Sequence, residues 1–244
     1  MKRILLTISY DGTAYHGWQV QPNGITVQQV LQDALEKILG VRPDVTGCSR
    51  TDAGVHAREF CCHLDCEEKF PDEAFLSGVN SFLPDDIAVV DCKTVSPDFH
   101  ARYAAKGKTY VYNILNSKRK DPFLSRYSWR IERPLDIGKM NSFCEKIVGK
   151  HDFYTFSSSG RTVTDTVRTV SECYVKREGE MVSLYITGDG FLYNMVRIVT
   201  GTAVAVSDGK INPEDTEKIL SSHKRELAGM TAPAAGLVLQ KVYY

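Results

Sequence analysis

One acidic residue, Asp52, lies in a segment whose residue types suit catalysis. Residues 47–57 read Gly-Cys-Ser-Arg-Thr-Asp-Ala-Gly-Val-His-Ala, so Arg50 precedes the carboxylate by two positions and Gly54 follows it by two. A neighbouring guanidinium favours the ionised carboxylate, and a glycine allows a tight turn or the close approach of a ligand. An ionised carboxylate attacks a carbon atom or removes a proton, rather than donating one. The bare pattern also fits an Asx-type turn, in which Thr51 and Asp52 bond only to their own backbone.

Four stretches of the chain, the first of them around Asp52, resemble the motifs of a known family. In the first stretch the matching positions are Gly47, Arg50, Thr51, Asp52, Gly54, Val55, His56 and Ala57. The others, in chain order, are Lys-Thr-Tyr-Val-Tyr at 108–112, Gly-Phe-Leu-Tyr-Asn-Met-Val-Arg at 190–197 and Ala-Pro-Ala-Ala-Gly-Leu at 232–237. Together they closely resemble the signature of the tRNA pseudouridine synthase A family, and the resemblance extends from the first strand to the last residue.

The resemblance implies an isomerase that converts uridines 38, 39 and 40 in the anticodon stem-loop of tRNA to pseudouridine. That reaction involves no net redox change and no group donor, so no cofactor is expected. The base must leave C1′ of its ribose, rotate and rejoin through C5, and Asp52 is the expected nucleophile or base. Three routes stay open: attack on C1′, addition to C6 of the ring, or removal of a ribose proton.

The resemblance also assigns roles to four residues besides the aspartate. Arg197 would pair with the catalytic carboxylate, and Tyr110 would stack under the target base and help to remove the C5 proton. Arg50 would help to extrude the uridine, because a base inside a stem cannot be reached otherwise. Leu237 would line the wall of the pocket. On pattern alone, Arg197 could instead lie on an exposed stripe of its helix, and Tyr110 on an ordinary strand face.

Charge is segregated along a chain whose net charge is zero. Residues 101–133 carry nine Lys and Arg against two acids, whereas residues 65–98 carry nine acids against two lysines. A basic face on a neutral protein is compatible with phosphate contacts that position an RNA, although a solvated surface gives the same asymmetry. The candidate phosphate contacts are Lys106, Lys108, Lys118, Arg119, Lys120, Arg126 and Arg130.

Composition predicts a soluble, cytoplasmic protein without a bound metal. No apolar run approaches the ~18 residues that a membrane helix needs, and no signal-peptide pattern follows Met1. Seven cysteines, without the spacing of a small secreted domain, indicate reduced thiols in a cytosol. Cys61, Cys62, His63 and Cys66 lack the Cys-x-x-Cys spacing of a structural zinc site, so buried thiols are the expected outcome.

The elements that must position these residues are predicted from periodicity and capping patterns. Strands are predicted at 2–10, 44–49, 59–66, 87–95, 110–115, 127–131, 167–177, 181–187 and 237–243. Helices are predicted at 27–38, 71–83, 135–148, 192–206 and 213–222. Two long stretches, 151–165 and 223–236, are predicted to be irregular; they either close over a nucleic acid or are plain mobile loops.

This element order predicts an α+β protein. The resemblance implies the pseudouridine synthase fold, in which two ferredoxin-like (β-α-β-β-α-β) halves place antiparallel sheets side by side around a central cleft. The expected division is an N-terminal half at 1–100, which carries the catalytic loop, and a C-terminal half at 101–244. Members of the family are homodimers, and the same is expected here.

Two other functions fit parts of the sequence. Residues 106–112 loosely match a strand of an RNA-recognition motif, so a non-catalytic RNA-binding module is the main alternative. Such a module has no use for a carboxylate near phosphates, which makes Asp52 the discriminating residue. A glycosidase-like hydrolase would need a second carboxyl group across a cleft, and no convincing partner for Asp52 is evident.

Overall fold

Strands outnumber helices along the described chain and mostly follow one another in runs. The computed structural model describes residues 1–160 and 163–244. Its strands are β1 (Lys2–Tyr10), β2 (Thr46–Gly47), β3 (His56–Cys66), β4 (Ile87–Val95), β5 (Gly107–Leu115), β6 (Trp129–Arg130), β7 (Gly149–Asp152), β8 (Val167–Glu178), β9 (Met181–Gly188) and β10 (Leu237–Tyr243). Its α-helices are α1 (Val27–Leu39), α2 (Ile137–Ile147), α3 (Met195–Ser207) and α4 (Thr216–Ser222).

The chain folds into two units, each with its own set of paired strands. The first unit comprises Met1–Lys106 with Val238–Tyr244, and the second comprises Gly107–Leu237. The strand order is β4-β1-β3-β10 in the first unit and β5-β9-β8-β7 in the second. The sequence placed the division at residue 100 and left the last strand with the second half. In the structure that strand belongs to the first unit, because β10 pairs in parallel with the start of β3.

The core of the first unit follows from the alternation of side chains in β1. Ile4, Leu6 and Ile8 are fully buried, and they point to one face of the sheet because side chains alternate along a strand. Strand β1 pairs antiparallel with β3 on one side and with β4 on the other. Its apolar residues therefore lie at the centre of the sheet, as the strand prediction required.

Helix α1 begins and ends at the residues that its sequence signals indicate. Thr26 Oγ1 accepts a hydrogen bond from the Gln29 amide at 3.3 Å, which satisfies one of the amides left unpaired at a helix start. Gly40 ends the helix with φ 74°, a left-handed conformation that suits glycine. Leu31 and Leu35, one helical turn apart, are fully buried. The predicted helix is confirmed.

The predicted helix at 71–83 is helical from residue 72 to residue 80. Its centre is a π-helical turn at Ala74–Gly78, which buries Phe75. The Asn80 side chain ends it, because its amide group donates to the Val89 carbonyl and its oxygen accepts from the Val89 amide, both at 2.8 Å. This side chain pairs with strand β4 and turns the chain out of the helix.

The second unit packs α2 and α3 against one face of its antiparallel strands. Strand β9 lies between β5 and β8, and its buried residues Leu184 and Ile186 alternate with half-buried ones. Helix α2 contacts both β8 and α3. Helix α3 is buried along most of its length, so only an apolar sequence such as Met195–Ser207 suits that position.

The two stretches predicted to be irregular both contain regular structure. The first includes the end of β7 and a 3₁₀ turn at Tyr154–Phe156, and the second includes 3₁₀ turns at Arg225–Leu227 and Ala234–Gly236. Residues 161 and 162 of the first stretch lie outside the described residues. With mostly antiparallel pairs and helices at the faces, the predicted α+β class is confirmed. Within the described parts of the chain, no helix is both long and apolar enough to cross a membrane.

Candidate active site

The segment that carries Asp52 is a turn held by backbone hydrogen bonds within the first unit. The Val55 amide donates to the Asp52 carbonyl at 3.2 Å and closes the turn, with Gly54 at φ 78°. The Trp18 amide donates to the Thr51 carbonyl, and the Gly54 amide donates to the Tyr15 carbonyl, each at 3.2 Å. The backbone thus forms a turn at residues 52–55, and the chain around residues 15–18 fixes this turn from outside.

Two glycines in that neighbouring chain allow it to lie directly against the Asp52 turn. A Cβ atom on Gly12 would lie 2.0 Å from the Val55 carbonyl oxygen, and one on Gly17 would lie 2.3 Å from the Thr51 carbonyl oxygen. Gly17 also has φ 80°, which other residues adopt only with strain. Only glycine fits at either position. The chain at 11–18 thus supports the backbone on both sides of Asp52.

Side chains reinforce this support from the core. Thr51 is buried, and its hydroxyl shares a 2.9 Å hydrogen bond with the buried Tyr10 hydroxyl. The rings of Trp18 and Phe60 lie 4.2 Å apart between centroids, and Gly47 lies so close to both that a Cβ atom there would clash with them. Residues immediately before Asp52 are therefore anchored in an aromatic core.

The His56 ring joins the same two chain segments. Its Nδ1 atom lies 3.0 Å from the Gly12 amide nitrogen and 3.0 Å from a carboxylate oxygen of Asp11. A neutral Nδ1 accepts from the amide, and a protonated Nδ1 donates to the carboxylate, so one of the two bonds forms in either state. This agrees with a positioning role for His56 within the signature.

Asp52 itself is half-buried and Arg50 is exposed. A carboxylate on a fixed turn that remains accessible meets the geometric need of a nucleophile or base, because its position is set before a substrate arrives.

In the second unit, Arg197 organises the start of α3. Its Nε donates to the Ala232 carbonyl and its Nη1 donates to Asn194 Oδ1, each at 2.7 Å. The Ala232 amide donates in return to the Arg197 carbonyl at 3.1 Å. Asn194 has φ 61°, a left-handed conformation that Asn tolerates better than most residues, and its amide group donates to Ser158 Oγ at 2.9 Å. The half-buried guanidinium is thus part of a network rather than an exposed stripe.

The tyrosines of β5 lie close to this network. The Tyr112 hydroxyl donates to the Pro233 carbonyl at 2.7 Å; burial raises the pKa of Tyr112, and the positive charge of Arg197 partly offsets the rise. Tyr110 is buried, with its ring 5.1 Å from the Phe191 ring in an edge-on arrangement. The Tyr112 hydroxyl therefore stays protonated, and its hydrogen bond holds residues 232–237 beside Arg197.

The segment before β10 is packed against α3 and β5. Gly229 donates from its amide to Thr202 Oγ1 at 2.9 Å, and a Cβ atom on Gly201 would lie 1.8 Å from the Met230 carbonyl oxygen. Arg225 Nη1 donates to the Gly229 carbonyl at 2.8 Å. The sequence predicted an irregular stretch here, either a loop that closes over a nucleic acid or a plain mobile loop. These contacts instead hold the stretch against helix α3. Leu237, which follows it, is buried.

The predicted phosphate contacts differ in exposure. Lys106 and Arg126 are exposed, as are Lys118, Arg119 and Lys120. Lys108 is only 8% exposed, and Arg130 is half-buried, with Nη2 2.7 Å from Glu132 Oε1. Exposure therefore favours the first five residues over Lys108 and Arg130 as surface contacts for a phosphate.

The cysteine cluster behaves as a set of buried thiols. All seven cysteines fall within the described residues, and each is a buried thiol rather than half of a disulfide. Burial raises the pKa of Cys61 to about 11 and that of Cys62 well above its usual value, so both remain protonated. Among residues 1–160 and 163–244, no three His, Cys, Asp or Glu side chains are arranged to hold a metal ion.

Sequence reasoning missed the residues that position the site. Gly12 and Gly17 were not considered, although a Tyr-Asp-Gly turn after β1 and a Gly-Trp pair five residues later are visible signals. The motif at 190–197 includes Asn194, but its bonds to Ser158 and Arg197 have no signal in the sequence, and its side chain does not cap α3.

Replacing Arg197 by Ala is expected to destabilise the protein by about 2 kcal/mol, because the buried Ala232 carbonyl and the Asn194 side chain lose charged donors. Urea unfolding of the wild type, Arg197→Ala and the control Arg119→Ala measures the effect. The control removes an exposed arginine of the same unit and should change the free energy of unfolding by less than about 0.5 kcal/mol. Equal values for the two variants would show that the network contributes no stability.

Comparison with known proteins identifies the family of this α+β chain. The profile of the family described as tRNA pseudouridine synthase matches residues 6–104 and 143–244. The chain belongs to the tRNA pseudouridine synthase family, and pseudouridine synthases are isomerases.

Curated relatives agree with this assignment over the whole chain. The chain is 41% identical to tRNA pseudouridine synthase A 2 of Clostridium perfringens over 244 residues, with 100% of both chains covered. It is 44% identical to tRNA pseudouridine synthase A of Thermoanaerobacter sp. and 46% identical to that of Clostridium kluyveri, again over 244 residues and 100% of both chains. The predicted family is therefore confirmed.

Proposed function

We propose that this protein isomerises uridines of tRNA to pseudouridine at positions 38, 39 and 40 of the anticodon stem-loop, without a cofactor. The observation that carries the proposal is the placement of Asp52 on a turn whose flanking carbonyls are held by the Trp18 amide and by the close approach of Gly12. Relatives named tRNA pseudouridine synthase A, aligned over the full chain, support tRNA as the substrate.

The chemistry requires one carboxylate and a base that has left the stack. The bond between C1′ and N1 breaks, the uracil rotates, and a bond forms between C1′ and C5. The proton on C5 is lost, and N1 ends with a proton, so the product is an isomer of the substrate. Asp52 serves as a nucleophile toward C1′ or C6, or as the base that takes a ribose proton, and each role needs its ionised form.

The other assigned residues support that chemistry in distinct ways. Tyr110 stacks under the target base and assists removal of the C5 proton, while Leu237 lines the pocket wall. Arg197 is the cation that pairs with the catalytic carboxylate; its fixed position, bonded to the Ala232 carbonyl and Asn194, suits a charge that must stay in place. Arg50, which is exposed, helps to extrude the uridine from the stem.

Lys106, Lys108 and Arg126 contribute to the grip on the RNA backbone, with exposed Lys106 and Arg126 the direct phosphate contacts. Such contacts position the RNA without reading its sequence. The proposal also includes a cytoplasmic homodimer and two ferredoxin-like halves around a central cleft. Light scattering of the purified protein tests the dimer.

Release of tritium from tRNA labelled at C5 of uridine tests the proposed function, because isomerisation exchanges that hydrogen with water. Wild-type protein is expected to release up to one tritium for each target uridine in an unmodified transcript. A transcript in which positions 38–40 carry no uridine is the matched control and should release none. A protein that binds tRNA but releases no tritium would be an RNA-binding module rather than an isomerase.

A further inference from the structure

An aromatic residue at the tip of the β5–β6 connection is unusually exposed. Phe123 is 87% exposed, the largest value among the bulky apolar residues of the described chain. Tyr127, four residues later, is 41% exposed. A single exposed aromatic side chain is common on protein surfaces, so the residues around this one decide what it can bind.

The tip loop, defined as residues 118–127, has a fixed backbone. The Phe123 amide donates to Asp121 Oδ1 at 2.8 Å, and the Tyr127 amide donates to the Leu124 carbonyl at 3.0 Å. Ser128 Oγ also donates to the Leu124 carbonyl at 2.8 Å. Consecutive turns of this kind fix the backbone position of Phe123 at the tip.

The ends of the tip loop are tied to the second unit. Ser117 Oγ donates to Glu180 Oε1 at 2.8 Å and accepts from the Arg119 amide at 3.1 Å. Arg130 Nη1 donates to the Lys118 carbonyl at 3.3 Å. Arg130, predicted as a phosphate contact, thus braces the loop. The loop that carries Phe123 is therefore held in place by the rest of the second unit.

Four cationic side chains share the tip loop with the exposed ring. Lys118, Arg119, Lys120 and Arg126 are all exposed. The single acid of the loop, Asp121, is half-buried and uses one carboxylate oxygen to hold the turn. Protein interfaces are depleted of lysine, and two of these four cations are lysines, whereas single-stranded nucleic acid binds to aromatic rings flanked by cations.

We propose that the tip loop is a second RNA-contact surface, in which Phe123 stacks on an unpaired base of the tRNA while Lys118, Arg119, Lys120 and Arg126 contact neighbouring phosphates. This inference rests on the proposed function for its choice of RNA. The base is not the one that is isomerised: β5 continues for five residues from Tyr110 to Leu115 before the loop begins, a span of about 17 Å. Strand β6 returns the chain to that same end of β5.

Fluorescence anisotropy with a labelled, unmodified tRNA transcript tests the stacking contact. Phe123→Ala is expected to raise Kd by about tenfold or more, as loss of one base–aromatic stack does, and Phe123→Trp should stay within about twofold of wild type. Phe82→Ala is the matched control, since Phe82 is also an exposed phenylalanine but lies beside Asp85 and Asp86. A Kd for Phe123→Ala within about twofold of wild type would overturn the proposal.

Salt dependence tests the cations separately. Replacing Lys118, Arg119 and Lys120 together by Ala should reduce the slope of log K against log salt by about two to three, whereas Phe123→Ala should leave the slope unchanged. An unchanged slope in the triple variant would also overturn the proposal. Light scattering gives a further test. If Phe123→Ala had a different molecular mass from the wild type but the same tRNA affinity, the proposal would also fail, because the surface would then join copies of the chain.

The outcomes separate this inference from the proposed function. Wild-type tritium release together with unaltered tRNA binding by Phe123→Ala would reject the tip loop alone. Absence of tritium release from the wild type would reject isomerisation, whatever the tip loop binds.

Discussion

Asp52→Asn is expected to lower the rate of tritium release from C5-labelled tRNA by about 10³-fold or more, while the Kd for tRNA stays within about threefold of wild type. Asparagine matches the shape of aspartate but carries no charge, so it neither attacks carbon nor removes a proton. The turn should survive, because the bonds that hold it run through backbone groups of Thr51, Asp52 and Gly54.

A matched control separates catalysis from general charge effects. Asp44→Asn removes an exposed carboxylate of the same unit, and it should leave tritium release within about twofold of wild type. Single-turnover rates with enzyme in excess over tRNA isolate the chemical step from product release. Full activity of Asp52→Asn would show that Asp52 is a structural turn residue, which is the interpretation that the bare sequence pattern also allowed.

Prediction from sequence succeeded where the signal was local. Thr26 and Gly40 mark the two ends of α1 because a cap depends on residues three or four positions apart. The alternation of Ile4, Leu6 and Ile8 fixes which face of β1 is buried for the same reason. The signature around Asp52 is also contiguous, so a resemblance could be recognised without knowing the fold.

Prediction failed where the determining contact was distant in sequence. Asn80 ends its helix by bonding to Val89, a contact that periodicity does not reveal. Residues 223–236 look irregular because their order comes from Gly201 and Thr202 on α3 rather than from their own composition. The pairing of the last strand with His56 and Ala57 escaped prediction for the same reason, since about 180 residues separate the paired positions.

The support of Asp52 by the chain at 11–18 belongs to this second class, and it has a consequence for activity. Gly12 and Val55 are 43 positions apart in sequence, yet their backbones approach so closely that even a methyl group cannot fit between them. Precise placement of a catalytic group accounts for a large part of rate enhancement, and a displacement of about 1 Å can cost about 10²-fold. The glycine is therefore expected to matter for rate as well as for folding.

Gly12→Ala should accordingly reduce the rate of tritium release by about 10²-fold. The added Cβ atom would lie 2.0 Å from the Val55 carbonyl oxygen, and backbone must move because no flexible side chain can give way. Gly24→Ala is the matched control in the same unit: its Cβ atom would meet the exposed His16 ring at 2.5 Å, which can rotate aside, so its rate should stay within about twofold of wild type.

Urea unfolding distinguishes displacement of the turn from loss of the fold. Suppose that Gly12→Ala remains folded at the assay temperature and binds tRNA with nearly normal affinity, yet releases tritium slowly. The defect would then lie at Asp52, because only the position of the reacting group has changed. If that protein instead turned over at the wild-type rate, the turn would tolerate movement of its support. Catalysis would then depend on the identity of the carboxylate rather than on its fixed position, and the two glycines would serve folding alone.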